Sequence, residues 1–345
     1  MSFTPKPTRP PASTVPLAWV AVVALVVAGT AVAGTAGYFV LHPTSNAGTS
    51  TGSGNGTGAV TVTDDLGRTV TVPSDPARVA VIGPSIMDEV YRLGLRSHVV
   101  AVDCYAASLG GLSDDYTPGQ ISLWNLSSSM CVQVEPTLAP EMLANLTPDL
   151  ILASTIVSIS QIEQVAGQLH IPVVFLQPAT LGGVLVDDAI LGTIFGATSE
   201  ANRLNAALSL ELYNASTLDA NTSFPYVLVT FSVDSNGYWT FGPGTFGLSL
   251  IELAGATSIS ANSTFQYPEL SPATVLAGNP HYIVYGTGFG LNESAYAAGP
   301  DWSQFSAVQQ GNISGVDSTW ITEPDPTMIL NGLPALIAVF HPAVP

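Results

Sequence analysis

The sequence predicts an α/β protein of two lobes behind an N-terminal apolar segment, and three observations carry that expectation. Short Val- and Ile-rich runs alternate with stretches of helical period, the pattern of parallel sheets with crossover helices. The pattern occurs twice, before and after a long helical stretch from Leu181 to Thr217. The 287 residues from Ala59 to Pro345 are too many for one small core and suit two.

Residues 1–16 include Lys6 and Arg9, and Leu17 to Leu41 follows as 25 residues without a charge. That exceeds the roughly 20 needed to cross a bilayer core as a helix, so the sequence predicts a transmembrane anchor over 17–41. No Lys or Arg recurs until Arg68, which places the N-terminus in the cytoplasm and the rest of the chain outside the cell membrane. A cleaved signal peptide is the competing reading: Ala31-Val32-Ala33 fits a cleavage site, but the apolar region of a signal peptide spans only about 7 to 15 residues. Residues 42–58 lack charge and, from Pro43 on, large apolar side chains, the composition of a flexible tether. Residues 59–180 are then the first lobe, 181–222 the linking helices and 223–345 the second lobe.

The first lobe opens with two β-rich runs joined by Asp65-Leu66-Gly67. Arg78 to Gly83 reads as a strand, Ile86 to Leu93 as a helix with Ile86, Val90 and Leu93 on one face, and Val99 to Asp103 as the next strand. A long loop, Cys104 to Val134, precedes a helix from Pro140 to Leu146. Asp149 to Ala153 is a strand whose near-continuous apolar run suits burial on both faces. A helix from Ile159 to Leu169 and a strand from Val173 to Leu176 complete the lobe. The helical period over Leu181 to Thr217 breaks at Gly196-Ala197-Thr198, where Ser199 and Glu200 read as a fresh cap and first turn. The second lobe repeats the grammar with strands at Tyr226 to Ser232, Tyr238 to Phe241 and Tyr282 to Tyr285. Its helices lie near Phe246 to Ala254 and Pro272 to Ala277, with a last one from Thr327 to Phe340.

Composition narrows the function. The 25 acidic residues face only seven basic ones, for a formal charge of -18, and charged residues of both signs are sparse at 9%. Such a surface suits an acidic exterior, where protonating a few carboxylates changes the net charge little. Nucleic acid is excluded as a partner, because phosphate contacts need clustered Lys and Arg. Sequons at Asn55, Asn125, Asn145, Asn214, Asn221, Asn262, Asn292 and Asn312 point to a glycoprotein of the cell surface. Cys104 and Cys131 are expected to pair as a disulfide in an oxidising compartment, adding about 3 kcal/mol on the chain-entropy model. His42, His98, His170, His281 and His341 are dispersed, so no metal site is expected, and His170 and His281 read as structural.

No Gly-x-Ser-x-Gly elbow, phosphate loop or His-Glu-x-x-His occurs. The pairs Asp64-Asp65, Asp114-Asp115 and Asp187-Asp188 read as decoration of turns and helix starts. A secreted hydrolase with two separated carboxylates stays open as the weakest alternative.

Several phrases in order resemble the cobalamin and iron-siderophore substrate-binding proteins of ABC importers. They are Pro76-Ala77-Arg78-Val79, Leu93-Gly94-Leu95, PEMLANLTPDLILAS from Pro140 to Ser154, HIPVVF from His170 to Phe175, and LSPATVLAGNPHYIVYG from Leu270 to Gly286. The tail AVQQGNISGVDS and the closing GLPALIAVFHP complete the series. The resemblance implies two Rossmann-like lobes joined by a single long helix, here SEANRLNAALSLELYNAS, as in a class III substrate-binding protein. It implies a monomer that captures a metal chelate in the cleft and delivers it to an ABC permease dimer with a cytoplasmic ATPase, without catalysis and without a cofactor. A surface sensor of the same fold, with no permease, is the main alternative. Permease docking by one glutamate per lobe falls on Glu141; the matching place in the second lobe is Ala273, with Glu269 nearby. Candidate ligand-binding residues follow the strands: Pro84, Ser85, Tyr105, Tyr116, Trp124, Tyr238, Trp239, Phe241, Phe289 and Trp302, whose aromatic faces would pack on a large flat solute. After Arg96 the only basic residue is Arg203, so a neutral corrinoid is expected over an anionic ferric siderophore or haem.

Overall fold

The computed structural model describes residues 58–103, 130–134, 138, 140–155, 157–218, 224–288 and 290–342. The anchor expected over 17–41 and the tether lie outside these residues. Among the described residues no helix is long and apolar enough to cross a membrane.

The chain enters the first lobe through an antiparallel hairpin, β1 (Ala59–Thr63) and β2 (Thr69–Pro73), turned at Asp64 to Gly67. Five parallel strands follow in the order β5-β4-β3-β6-β7: β3 (Val79–Ile82), β4 (Val99–Asp103), β5 (Cys131–Val132), β6 (Leu150–Ala153) and β7 (Val173–Phe175). Alternation along β3 serves two cores. Val79 and Val81 join the hairpin and α1 (Pro84–Arg92), while Ala80 and Ile82 join α2 (Pro140–Leu146) and α3 (Ile159–Leu169). Pro84 opens α1, where a missing N–H costs nothing, and Gly94 at φ 74 ends it by donating to the Tyr91 carbonyl.

Two antiparallel helices cross to the second lobe. α4 (Leu181–Ile194) is capped by Thr180, which accepts from Gly183 N, and packs Leu181, Val184 and Leu185 on the second core and Ile190, Leu191 and Ile194 on the first. α5 (Thr198–Ser216) runs the other way, with Ala201 in the first core, Leu208 and Leu212 in the second, and Leu204 against both. The break falls at Gly196, φ 64, where the sequence places it.

The second lobe holds a six-stranded sheet. β8 (Tyr226–Val233), β12 (Tyr282–Thr287) and β13 (Ile313–Asp317) are parallel, and β10 (Thr257–Ser258) pairs parallel with β8. β9 (Tyr238–Thr240) and β11 (Glu269–Leu270) are antiparallel. This corrects the expectation of purely parallel sheets. Asp234-Ser235-Asn236-Gly237 makes a tight turn, with Asp234 N donating to Gly237 O and Asn236 N to Asp234 Oδ1, so β9 folds straight back on β8. The helices are α6 (Phe246–Leu253), α7 (Pro272–Gly278), α8 (Glu293–Ala297), α9 (Ser306–Gln309), α10 (Thr319–Thr322) and α11 (Leu333–Phe340). Thr245, Ser271 and Asn292 cap α6, α7 and α8 with side-chain oxygens. The last helix also differs from expectation. Met328–Gly332 forms a π-helical turn before α11, because Pro334 has no N–H for the ladder and a Cβ at Gly332 would stand 2.1 Å from the Trp320 carbonyl.

Candidate functional site

Loops leave both sheets at the C-terminal ends of the parallel strands, the ends where open α/β sheets gather ligands. In the N-lobe β3 ends at Gly83, φ 133, where an added Cβ would lie 2.5 Å from Ser154 Cβ. The Gly83 amide donates to Asp103 Oδ2 at 2.6 Å, tying β3 to β4, and the Ser154 hydroxyl donates to Gln177, tying β6 to β7. In the C-lobe Asp317 Oδ1 accepts from Thr319 N at 2.9 Å and Thr319 Oγ1 at 2.7 Å and so starts α10. Ser318 closes over Gly286, where a Cβ would meet its hydroxyl at 2.6 Å.

Among the described residues, groups of the two lobes face each other here. Glu323, just beyond α10, is buried, and that burial, with the Asp103 carboxylate next in effect, pushes its pKa up to about 8. Asp88 of α1 accepts from Thr327 N and Oγ1, each at 3.0 Å.

The predicted site residues separate into groups. Pro84 and Ser85 start α1 at the end of β3, and both are buried. Tyr238, Phe241 and Trp302 are core residues at 0%, 1% and 4% exposure. Tyr238 packs 5.8 Å from Trp302 and 5.4 Å from Phe305, centroid to centroid, and its hydroxyl donates to Pro300 O. The alternation of β9 sends Tyr238 inward and leaves Trp239 half-buried on the opposite face, its indole N–H donating to Asp234 Oδ2 at 3.1 Å. Tyr105, Tyr116, Trp124 and Phe289 lie outside the described residues. Glu141 is exposed in the first turn of α2, whereas Glu269 is half-buried in β11 opposite Trp239. Cys131 heads β5 and is not a free thiol; Cys104 lies outside the described residues.

Sequence reasoning missed Phe231 and Tyr267. Phe231 lies in β8 two residues before its end at Val233, with centroids 4.9 Å from Phe241 and 6.3 Å from Tyr267, and Tyr267 is 44% exposed. The signal was available in strand period: Phe231 is two residues beyond Val229, on the same face.

Asp187 and Asp188 contradict their expected role as helix decoration. Both are fully buried within α4. The clue was an acidic pair inside an apolar helical run, LGGVLVDDAILGTI.

His281 Nδ1 accepts from Tyr226 N at 3.1 Å, and His170 closes α3 in the left-handed conformation, both structural tasks. Among the described residues no group of three His, Cys, Asp or Glu is placed to hold a metal ion. A surface cavity of about 340 Å³ lies between β2 and α3, away from the strand ends. Its Arg68 is committed to Asp64 and Glu163, each at 2.6 Å, and stacks on Phe175 at 4.7 Å.

Residues 79–319 match the family model described as periplasmic binding protein. The chain belongs to the periplasmic binding protein family. Within it, the chain is similar to the cobalamin-binding protein of Halobacterium salinarum, 27% identical over 278 residues that cover 78% of this chain and 71% of that one. It is also similar to an uncharacterized ABC transporter substrate-binding lipoprotein of Bacillus subtilis, 25% identical over 82% of this chain and 86% of that one. Among solved structures, the periplasmic vitamin B12 binding protein of Vibrio cholerae superposes with a TM-score of 0.61 at 23% identity, covering 78% of this chain and 98% of that one. The molybdate periplasmic binding protein of Haemophilus influenzae gives 0.68 at 17% identity, over 82% and 91%. At these identities the structures speak for the fold, and the matched sequence relatives are named as binding proteins rather than enzymes. The periplasmic binding protein family is thus the frame for the two lobes.

Proposed function

We propose that the chain is the extracytoplasmic solute-binding component of an ABC importer, taking a neutral corrinoid such as cobalamin into the inter-lobe cleft. The observation that carries the choice of solute is charge. No Lys or Arg occurs after Arg203. In the N-lobe, Arg68 is held by Asp64 and Glu163, Arg78 by the Thr147 and Leu146 carbonyls, and Arg92 by Asp88. An anionic ferric siderophore, haem or oxyanion would meet no uncommitted cation from the C-lobe, and leaving such a charge unpaired in a closed cleft is costly. The name of the Halobacterium relative supports the corrinoid reading.

In this reading Trp239 lines the cleft with Phe231 and Tyr267, the buried Pro84 and Ser85 back it at the start of α1, and Tyr105, Tyr116, Trp124 and Phe289 complete the wall. Tyr238, Phe241 and Trp302 support the C-lobe side from beneath. Glu141 and Glu269 face the permease dimer, residues 17–41 hold the monomer at the membrane, and Cys104 bonds Cys131. The test is calorimetric titration of the purified protein with cyanocobalamin, cobinamide, a neutral hydroxamate complex, an anionic catecholate complex and haem. Saturable binding of the corrinoids alone is expected. Preference for an anionic chelate overturns the charge argument, and binding of none of them overturns the assignment to metal chelates.

A further inference from the structure

Three segments meet where the lobes adjoin: α1 of the N-lobe, α4 of the linking pair, and residues 323–327 of the C-lobe. Each contributes buried acids. Asp88 and Glu89 come from α1, Asp187 and Asp188 from α4, and Glu323 and Asp325 from the C-lobe segment, none more than 9% exposed. Arg92 is the cation set among them.

Asp88 organises the junction. Its Oδ2 accepts from Arg92 Nε at 2.8 Å and from Thr327 N and Oγ1, while Arg92 Nη2 donates to Thr327 Oγ1 at 2.8 Å. Asp325 Oδ1 accepts from Met328 N at 2.9 Å, fixing the start of the π-helical turn. The other oxygens lack such company. Glu89 Oε2, both oxygens of Asp188 and Asp325 Oδ2 are buried with no hydrogen-bond partner among the described residues, and the buried Asp187 has only another acid, Asp65 of the β1–β2 turn, beside it. One guanidinium cannot neutralise six carboxylates, and ionised carboxylates without donors are not tolerated in such a place. The acids without donors therefore hold protons, while Asp88 pairs with Arg92.

We propose that this carboxyl cluster is a proton-operated latch between the lobes, closed while the acids are protonated and loosened as they ionise with rising pH. The groups facing it from each packed element agree in direction. Burial, then Asp187, Asp188, Asp325 and Asp88, hold Glu89 well above the usual carboxyl range. Burial, then Asp65 of the β1–β2 turn and Asp188, do the same for Asp187. Asp188 is raised by burial and Asp88 and drawn down by Arg92. Asp325 is raised by burial, Asp88 and Glu323, against Met328 N and Arg92, and Glu323 by burial and Asp103. A group whose pKa is raised on folding stabilises the fold fully below its unfolded value, and that contribution is lost as pH climbs through the folded value. For Glu323 the window runs from its ordinary 4.5 to about 8.

The test is thermal unfolding of the full chain from about pH 4 to about pH 8, wild type beside D187N/D188N, with E89Q as a milder second variant. Amides keep the shape of the protonated acids and cannot ionise. The wild-type midpoint is expected to fall by at least about 5 °C across the range, and the double variant to match wild type in acid and exceed it at neutral pH. Amide exchange in peptides covering 84–92 and 319–332 should rise together in wild type over the same range, after correction for intrinsic rates, and rise less in the variants. A merely structural role would shift the variant midpoints equally at every pH, which overturns the latch. So does a wild-type midpoint that stays flat or rises, a result that needs no variant.

Discussion

In the N-lobe every strand of the main sheet is parallel, and Arg68, Arg78 and Arg92 clamp one element to another. In the C-lobe a tight hairpin folds β9 back antiparallel on β8 with β11 antiparallel to β9, no arginine or lysine occurs, and five rings pack as a nest of Tyr238, Tyr285, Tyr296, Trp302 and Phe305. Two lobes of similar grammar thus solve stability differently, one with guanidinium clamps, the other with aromatic packing. On the proposed function, a solute between them would meet no cation contributed by the C-lobe.

The comparison breaks most easily at the contact the lobes share. Asp88→Ala removes the carboxylate that pairs with a largely buried Arg92 and both acceptor contacts to Thr327, so it is expected to cost about 3–5 kcal/mol in denaturant unfolding. A loss under about 1 kcal/mol would mean that the junction carries little of the fold's stability. Next come the two cores. Phe305→Ala in the ring nest should cost about 3–5 kcal/mol and Leu143→Ala, the fully buried residue of α2, about 2–5. If the leucine proves the costlier, the nest is a weaker core than its rings imply.

Much of this architecture was legible in the sequence where one period dominates. β4, α2 and α3 fall at the bounds that alternation and helical spacing give, and the Gly196 break divides α4 from α5. What was not legible depends on facing. The sequence shows aromatic residues at 238, 239 and 241, but only the pairing of β9 with β8 decides that Tyr238 and Phe241 turn inward while Trp239 stays half-buried. The π-helical turn depends on Trp320 standing against Gly332, and the buried state of Asp187 and Asp188 on what α1 and residues 323–327 bring to them. Contacts between distant segments have no local signature.

Smaller effects sharpen the contrast between clamp and ring. Arg78→Ala frees the last carbonyls of α2 on an exposed surface and should cost about 1 kcal/mol, read as a shift in denaturant midpoint without a change of slope. Tyr267→Ala should leave folding nearly unchanged and weaken corrinoid binding by about 2- to 10-fold, the worth of one aromatic face. Binding untouched by that change would remove Tyr267 from the wall.

The most direct test of a neutral solute in a cleft without free cations is the affinity for cyanocobalamin at low and high ionic strength, beside an anionic catecholate complex. Screening weakens charge attraction and leaves apolar burial in place, so corrinoid affinity is predicted to change by less than about twofold between roughly 0.02 and 0.5 M salt, with the catecholate complex bound poorly at both. Tight catecholate binding that falls by about tenfold or more with salt would contradict the account, because it would require a cation in the cleft.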